Sequence, residues 1–285
     1  MSVITFVNNI EEETGKTMSL VAIATHMAIE YNNKILVIST TNKEGKLKSC
    51  YFEEKEVKRL RLGIFGDSKS TIDSGNGIEG IVRIARSNKL APEMITNYTK
   101  VVFKDRLEVL LGVEERKKDD ESNEKEIAEE YIDLISVANM YYDKVFVDLD
   151  NNLDESIRQQ IIDRSDLVIV NTSQNYNSLK KLKENKEKSE LLKSPRSLIL
   201  VGRYDKYSKY NSKNITRFLE EKNQVLTVPY NTLYFEATNE AGVPNLFLSL
   251  RKTIDSEDRN AIFIEEIKRA SENIIYRLQE LQAIM

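Results

Sequence analysis

The strongest constraint on this chain is its rhythm: short, nearly continuous apolar runs alternate with longer stretches whose apolar residues recur at helical spacing. The runs are "SVITFV", "KILVIST", "LEVLLG", "KVFVDLD", "DLVIVNT", "SLILVG" and "VLTVPY". A strand that is apolar on both sides must be covered on both faces, as in a mostly parallel sheet flanked by helices. The pattern predicts a doubly wound α/β fold built as a single domain, with helices over 77–88, 125–142, 153–164, 175–192 and 211–222. In the first of these, Ile78, Ile81, Val82 and Ala85 recur at spacings of three and four, the pattern of one buried face. The run from Glu114 to Glu126 has only charged and polar residues besides its turn formers, and reads as a solvated loop or a frayed helix start inside that domain. Residues 257–285 predict a terminal amphipathic helix with Phe263, Ile267, Ala270, Ile274, Leu278 and Leu281 on one stripe. Its polar face carries more Glu and Asp than Lys and Arg, so the stripe is expected to pack on protein and not on a membrane surface.

Composition narrows the chemistry. With one cysteine, Cys50, and one histidine, His26, among 285 residues, neither an internal disulfide framework nor a Cys/His zinc site is available. Both are expected to be packed residues without a chemical role. Lys plus Arg number 42 and Asp plus Glu 46, so no global field draws the chain to nucleic acid. The start "MSVITFVNN" lacks the features of a leader, and no apolar run reaches the length of a membrane span. The expectation is a cytoplasmic protein, brought to a membrane only through partners.

Two segments carry candidate chemistry. In "FVNNIEEETGKTMSLVAIATHMA" the Gly15-Lys16-Thr17 triplet follows the first strand and opens an apolar helix, the setting of a phosphate-binding loop. In such a loop consecutive backbone N–H groups face the anion at the positive end of a helix, a lysine neutralises phosphate, and the hydroxyl holds Mg2+. The strict pattern wants glycine at position 10, which is Ile10, so a plain strand-to-helix turn that keeps the triplet is the alternative. The second segment, "DKVFVDLDNN", ends an apolar strand in Asp148, which would hold Mg2+ through water opposite Thr17, with Asp150 close by.

Taken in order, the first strand, the Gly-Lys-Thr helix, "KILVIST", "VFVDLD", "DLVIVNTSQN", "SLILVGRYD" and "VLTVPYN" resemble the ParA/MinD family of deviant-Walker P-loop ATPases. The stretch "IARSNKLAPEMITNYTKVVFKDRLEVLLG" is most similar to the TadZ/CpaE branch associated with pilus assembly. The resemblance spans nearly the whole chain. It implies a homodimer that sandwiches ATP and Mg2+, with Thr14, Gly15, Lys16, Thr17 and Met18 around the phosphates and Thr17 and Asp148 at the metal. It also implies base contacts after the "LILV" strand and in the "VPYN" loop, which fall on Arg203, Tyr204, Pro229 and Tyr230.

Departures from the family are as informative as the match. The lysine that crosses to the partner's nucleotide is replaced by Glu11, and Glu12 and Glu13 stand in glycine positions. Where the family has a water-orienting Asp after the second strand, "VISTTNKEG" offers Ser39, Thr40, Thr41 and Asn42, and the base-contacting Asn corresponds to Gly202. Two like charges about 4 Å apart repel by roughly 4 kcal/mol at an effective dielectric of 20. The glutamates must therefore point to solvent, or be neutralised by a partner's basic residues, or mark an empty site. The resulting expectation is a regulatory protein that positions or assembles a pilus or secretion apparatus through protein contacts, at most a weak ATPase. A partition ATPase that binds DNA non-specifically and a nucleotide-free interaction module are the alternatives. For DNA the candidate surface is "GRYDKYSKYNSKN", whose Tyr204, Tyr207 and Tyr210 alternate with lysines; the plainer reading is a loop anchored by its tyrosines. The "KKLKENKEKSELLK" run reads as a solvated helix face.

Overall fold

The computed structural model describes residues 1–9, 13–41, 46–53, 78–85, 91–112, 121–251 and 258–284. Ile10, Glu11, Glu12 and Asn42, and the side chains of Val82 and Ala85, lie outside the described residues.

The chain starts on β1 (Ser2–Asn8) and passes through α1 (Lys16–Glu30) to β2 (Ile35–Ser39). Two short helices follow, α2 (Lys46–Tyr51) and α3 (Ile78–Ala85), then a 3-10 turn over Pro92–Asn97 and the pair β3 (Lys100–Phe103) and β4 (Leu107–Leu110). Helix α4 (Glu121–Ala138) returns the chain to β5 (Lys144–Asp148), and α5 (Glu155–Asp163) leads to β6 (Leu167–Thr172). Beyond it come α6 (Tyr176–Lys188), α7 (Glu190–Lys193), β7 (Ser197–Tyr204), α8 (Ser212–Phe218) and β8 (Leu226–Pro229). Helices α9 (Thr232–Ala237), α10 (Val243–Leu250) and α11 (Arg259–Ile284) complete the chain.

The eight strands form one sheet in the order β3-β4-β2-β5-β1-β6-β7-β8. All pairs are parallel except β3 with β4, which is antiparallel and forms one edge. This is the doubly wound α/β fold that the rhythm predicts. All seven apolar runs are strands. The strand not foreseen, β3, is only half-buried, so its sequence lacks the two-sided apolar signature. Helix α4 begins at Glu121, inside the charged run, whose residues 114–120 lie outside the described residues. The segment expected as one helix over 175–192 is two, because Ser189 ends α6 and caps α7 with its hydroxyl.

Period-two alternation divides the core between the two faces. From β1, Val3 and Val7 join the cluster under α3, α4, α5, α6 and α8, whereas Ile4 and Phe6 join the one under α1, α2, α10 and α11. The stripe of α11 lies as expected: Phe263, Ile267, Ala270, Ile274 and Leu278 are buried, Leu281 packs beside them, and the helix runs along β8 and α1. Its apolar face therefore closes the domain. Among the described residues no helix is long and apolar enough to cross a membrane.

Two buried groups have consequences for stability. On β4, Glu108 is 5% exposed and accepts from Tyr142 Oη and Thr99 Oγ1, each at 2.6 Å, with Lys34 Nζ 3.6 Å away. Lys34 in turn lies 4.0 Å over the Tyr141 ring. On α1, His26 is buried with Nδ1 unpartnered, and burial depresses its pKa to about 4 despite Glu30 nearby. Lys268 and Arg251 also lower it, and Glu265 opposes them. An unfolded His titrates near 6.5, so its neutral form is favoured in the fold. The contribution is complete above pH 6.5 and falls as pH drops toward 4, by up to about 3 kcal/mol. Urea unfolding between pH 7 and 4.5 should show that decline, and His26→Leu should remove most of this slope.

Candidate functional site

Parallel register brings the chemistry to one edge of the sheet. Asp148, at the end of β5, pairs with Phe6 of β1 on one side and with Ser39 of β2 on the other. The turn leaving β1 and the start of α1 therefore sit beside the carboxylate. Lys16 Nζ is 2.9 Å from Asp148 Oδ1 and also donates to the Leu149 carbonyl, while Thr17 Oγ1 donates to Asp148 Oδ2 at 2.7 Å. The Lys16 and Asp148 side chains are 10% and 5% exposed, so the pair is largely withdrawn from water. Residues far apart in sequence thus meet at this edge, with Asp148 in direct contact with Thr17 and Lys16.

The backbone of the turn is shaped for an anion. Gly15 is the N-cap of α1 at φ 79°, a left-handed conformation that a side chain would strain, and no side chain caps the helix. The first-turn N–H groups have no intrahelical acceptor, and the first helical bond runs from Ser19 N to the Gly15 carbonyl. By contrast α5, α6, α7, α8 and α9 each carry an Asp, Asn or Ser cap. Below the turn lies a buried polar layer. Thr14 Oγ1 donates to Asn8 Oδ1 at 2.5 Å, while among the described residues Ser19 Oγ, the Asn171 amide and Thr172 Oγ1 are buried without partners. Unsatisfied polar atoms collected at one strand edge suit a polar ligand there. Thr40, after β2, is committed to structure: its backbone N–H and hydroxyl both donate to the Asp148 carbonyl, and its hydroxyl accepts from Asp150 N.

The residues expected to contact a base are distributed more widely. Gly202 lies against the loop, where a Cβ would fall 2.2 Å from the Thr14 carbonyl oxygen. Arg203, at φ 51°, crosses the loop with Cγ 3.3 Å from the place of a Gly15 Cβ. Its Nη2 lies 3.1 Å from Glu13 Oε2, and Lys46 Nζ lies 3.2 Å from Glu13 Oε1. These two contacts, Arg203 first, hold the Glu13 carboxyl below the usual carboxylate range. Neutralisation of this glutamate thus comes from within the same chain, a solution the sequence reading did not contain. Tyr204 is turned into the core, its hydroxyl accepting from Ser212 N. Pro229 ends the edge strand, and Tyr230 is exposed beside Phe235.

Other singled-out residues are structural. Cys50 is buried, its thiol pushed up to about 12 by burial and by the Asp148 charge, which leaves it unreactive at neutral pH. In the tyrosine-rich loop Tyr204 and Tyr210 are anchors, the latter stacked on Tyr176, and Tyr207 is exposed under Lys206. Asn8, Ser19, Lys46 and Asn171 were missed by sequence reasoning. Only Asn8, a polar residue closing an apolar strand just before the loop, carried a readable signal.

Fold and site together define a doubly wound α/β domain of the P-loop type. No family model and no curated protein matches the chain. Among solved structures it is similar to a ParA family ATPase from Chlorobium tepidum TLS, with a TM-score of 0.63, 14% identity, and 92% of this chain and 95% of that one covered. It is also similar to the septum site-determining protein MinD in complex with Mg-ADP from Pyrococcus horikoshii OT3, with a TM-score of 0.61, 14% identity, and coverage of 97% and 98%. A plasmid partition protein from Borrelia burgdorferi B31 bound to AMPPNP matches with a TM-score of 0.57, 17% identity, and coverage of 99% and 98%. The architecture is therefore that of the ParA/MinD-type proteins.

Proposed function

We propose that this chain is a ParA/MinD-like regulatory protein that binds ATP with Mg2+ and hydrolyses it slowly or not at all. The observation that carries the reading is the convergence of Lys16, Thr17 and Asp148 at an uncapped helix start. The residues present fit the ligand: the first-turn N–H groups of Lys16, Thr17 and Met18 face phosphate, Thr14 and Gly15 shape the turn, and Lys16 leaves Asp148 to neutralise the anion. Thr17 and Asp148 would hold the cation, which supplies charge neutralisation between the phosphates. Arg203, Pro229 and Tyr230 border the side on which the nucleoside would lie, with Tyr204 holding that border in place from the core.

Slow turnover follows from what is missing. Thr40 has its hydroxyl committed to the β5 end, and among the described residues that follow β2, Thr40 and Thr41, neither is a carboxylate that could take the water-orienting role. Nucleotide then acts as a dimerisation ligand for two protomers, and the output is protein contact. We assign that output to positioning or assembly of a pilus or secretion apparatus, in the manner of TadZ. What supports this finer assignment is the sequence resemblance of the segment that builds the β3–β4 edge.

Titration calorimetry with ATP and Mg2+ tests the reading. The wild type should give a binding isotherm, and Lys16→Ala should weaken it roughly tenfold to a hundredfold, the worth of a charge-assisted contact to phosphate. Phosphate release in the same samples should stay near background. Absence of heat from the wild type overturns nucleotide binding, and rapid turnover overturns the regulatory assignment.

A further inference from the structure

Glu13 stands in the loop one residue before Thr14, where the sequence leaves its charge to solvent or to a partner's basic residues. Its carboxylate does not project alone. Arg203 comes from the end of β7, which already packs on the loop at Gly202, and Lys46 from the first turn of α2, so Glu13 adds an ionic tie from the phosphate loop to both elements. The arginine is placed by backbone geometry: Gly202 permits close contact with the Thr14 carbonyl, and the left-handed Arg203 that follows turns its side chain across Gly15. Both partners of the ion pair are about half exposed or more, so the pair adds little to global stability. Its consequence lies in the local field. A lone carboxylate at position 13 would repel every phosphate charge, whereas one flanked by two cations leaves that group of three described side chains net positive.

We propose that Arg203, assisted by Lys46, is a positioning residue that neutralises Glu13 and holds the loop, allowing a phosphate loop with a carboxylate in a glycine position to accept a polyphosphate. This inference rests on the nucleotide reading above. It gives Arg203 a role exercised through Glu13 and not through the base. The contact is a single one, from Arg203 Nη2 to Glu13 Oε2, and lysine can supply the same charge, so Arg203→Lys should retain most of the effect.

The test is a double-substitution cycle read by calorimetry with ATP and Mg2+, with amide hydrogen exchange of residues 13–18 measured in parallel. Arg203→Ala should weaken binding roughly tenfold to thirtyfold, and Glu13→Gln alone should tighten it by about threefold, as the sign and size of the charges require. In the pair Glu13→Gln with Arg203→Ala, affinity should return to within about threefold of the wild type, because neither charge remains to be balanced. Arg203→Ala should also speed exchange in the loop. Additive losses overturn the proposal, since they place Arg203 on the ligand directly. Unchanged exchange in Arg203→Ala overturns the clamp whether or not nucleotide binds. A wild type that binds no ATP overturns the nucleotide reading and the affinity role with it, while the exchange result still decides whether the clamp holds the loop.

Discussion

Replacing Gly202 by Ala is expected to destabilise the protein by about 3 kcal/mol, the upper range for overpacking, and to abolish measurable ATP binding. The added Cβ would lie 2.2 Å from the Thr14 carbonyl oxygen and 3.2 Å from Ser19 Oγ. The first contact is with backbone, which no rotamer change relieves. Either β7 leaves its register with β6, or the turn lifts away from the sheet. The second path is the softer one, because among the described residues the side-chain bond that ties Thr14 to the strand is its hydroxyl bond to Asn8. A lifted turn separates Lys16 and Thr17 from Asp148, and misplacement of about 1 Å is enough to spoil a site that works by geometry. Denaturant unfolding and calorimetry on the same variant check both outcomes. Gly242→Ala is the control: its added Cβ would meet Ala237 Cα at 3.3 Å, and a change within about 1 kcal/mol is expected. Equal behaviour of the two variants would show that contact with Thr14 does not position the loop.

Glu108→Ala should cost about 3–5 kcal/mol, because it leaves several buried partners without their acceptor at once. Glu108 joins the hydroxyls of Thr99 and Tyr142 to the ammonium of Lys34, bringing the start of β2, the β3–β4 edge and the start of β5 together. Burial raises the Tyr142 phenol far above its ordinary range, and the Glu108 charge adds to the rise, so the tyrosine stays a donor at every working pH. Glu108→Gln keeps one acceptor oxygen and loses the attraction to Lys34, and should cost about 1–2 kcal/mol. Urea midpoints for the two variants check the ranking. Since the network lies at the opposite end of the strands from Asp148, Glu108→Gln should leave ATP affinity unchanged. A loss no larger for Ala than for Gln would mean that water replaces the carboxylate and the network is not closed.

Much of the fold was legible because the strands are buried on both faces. Runs such as "KVFVDLD" and "DLVIVNT" admit few other readings when separated by stretches of helical period. Elements that depart from that signature escaped: β3 is a half-buried edge strand, and α9 and α10 are short. Both helices nonetheless carried start signals, Asn231 capping α9 through Tyr234 N and Pro244 in the first turn of α10. In the site, Gly15-Lys16-Thr17 and Asp148 were recognisable because each residue type is demanded by phosphate or cation chemistry. The neutralisation of Glu13 was not, since 190 positions separate it from Arg203 and ion pairs leave no local pattern.

By itself, then, the sequence determined the period of the strands, hence a covered parallel sheet, and the loop triplet that marks where an anion would sit. Only the tertiary structure decided what surrounds that triplet. Parallel register set Asp148 beside Thr17, close approach of Gly202 sent Arg203 across the turn, and α11 was committed to closing the core. The physical reason is that periodicity is a property of neighbours along the chain, whereas charge balance depends on which strand ends meet in space.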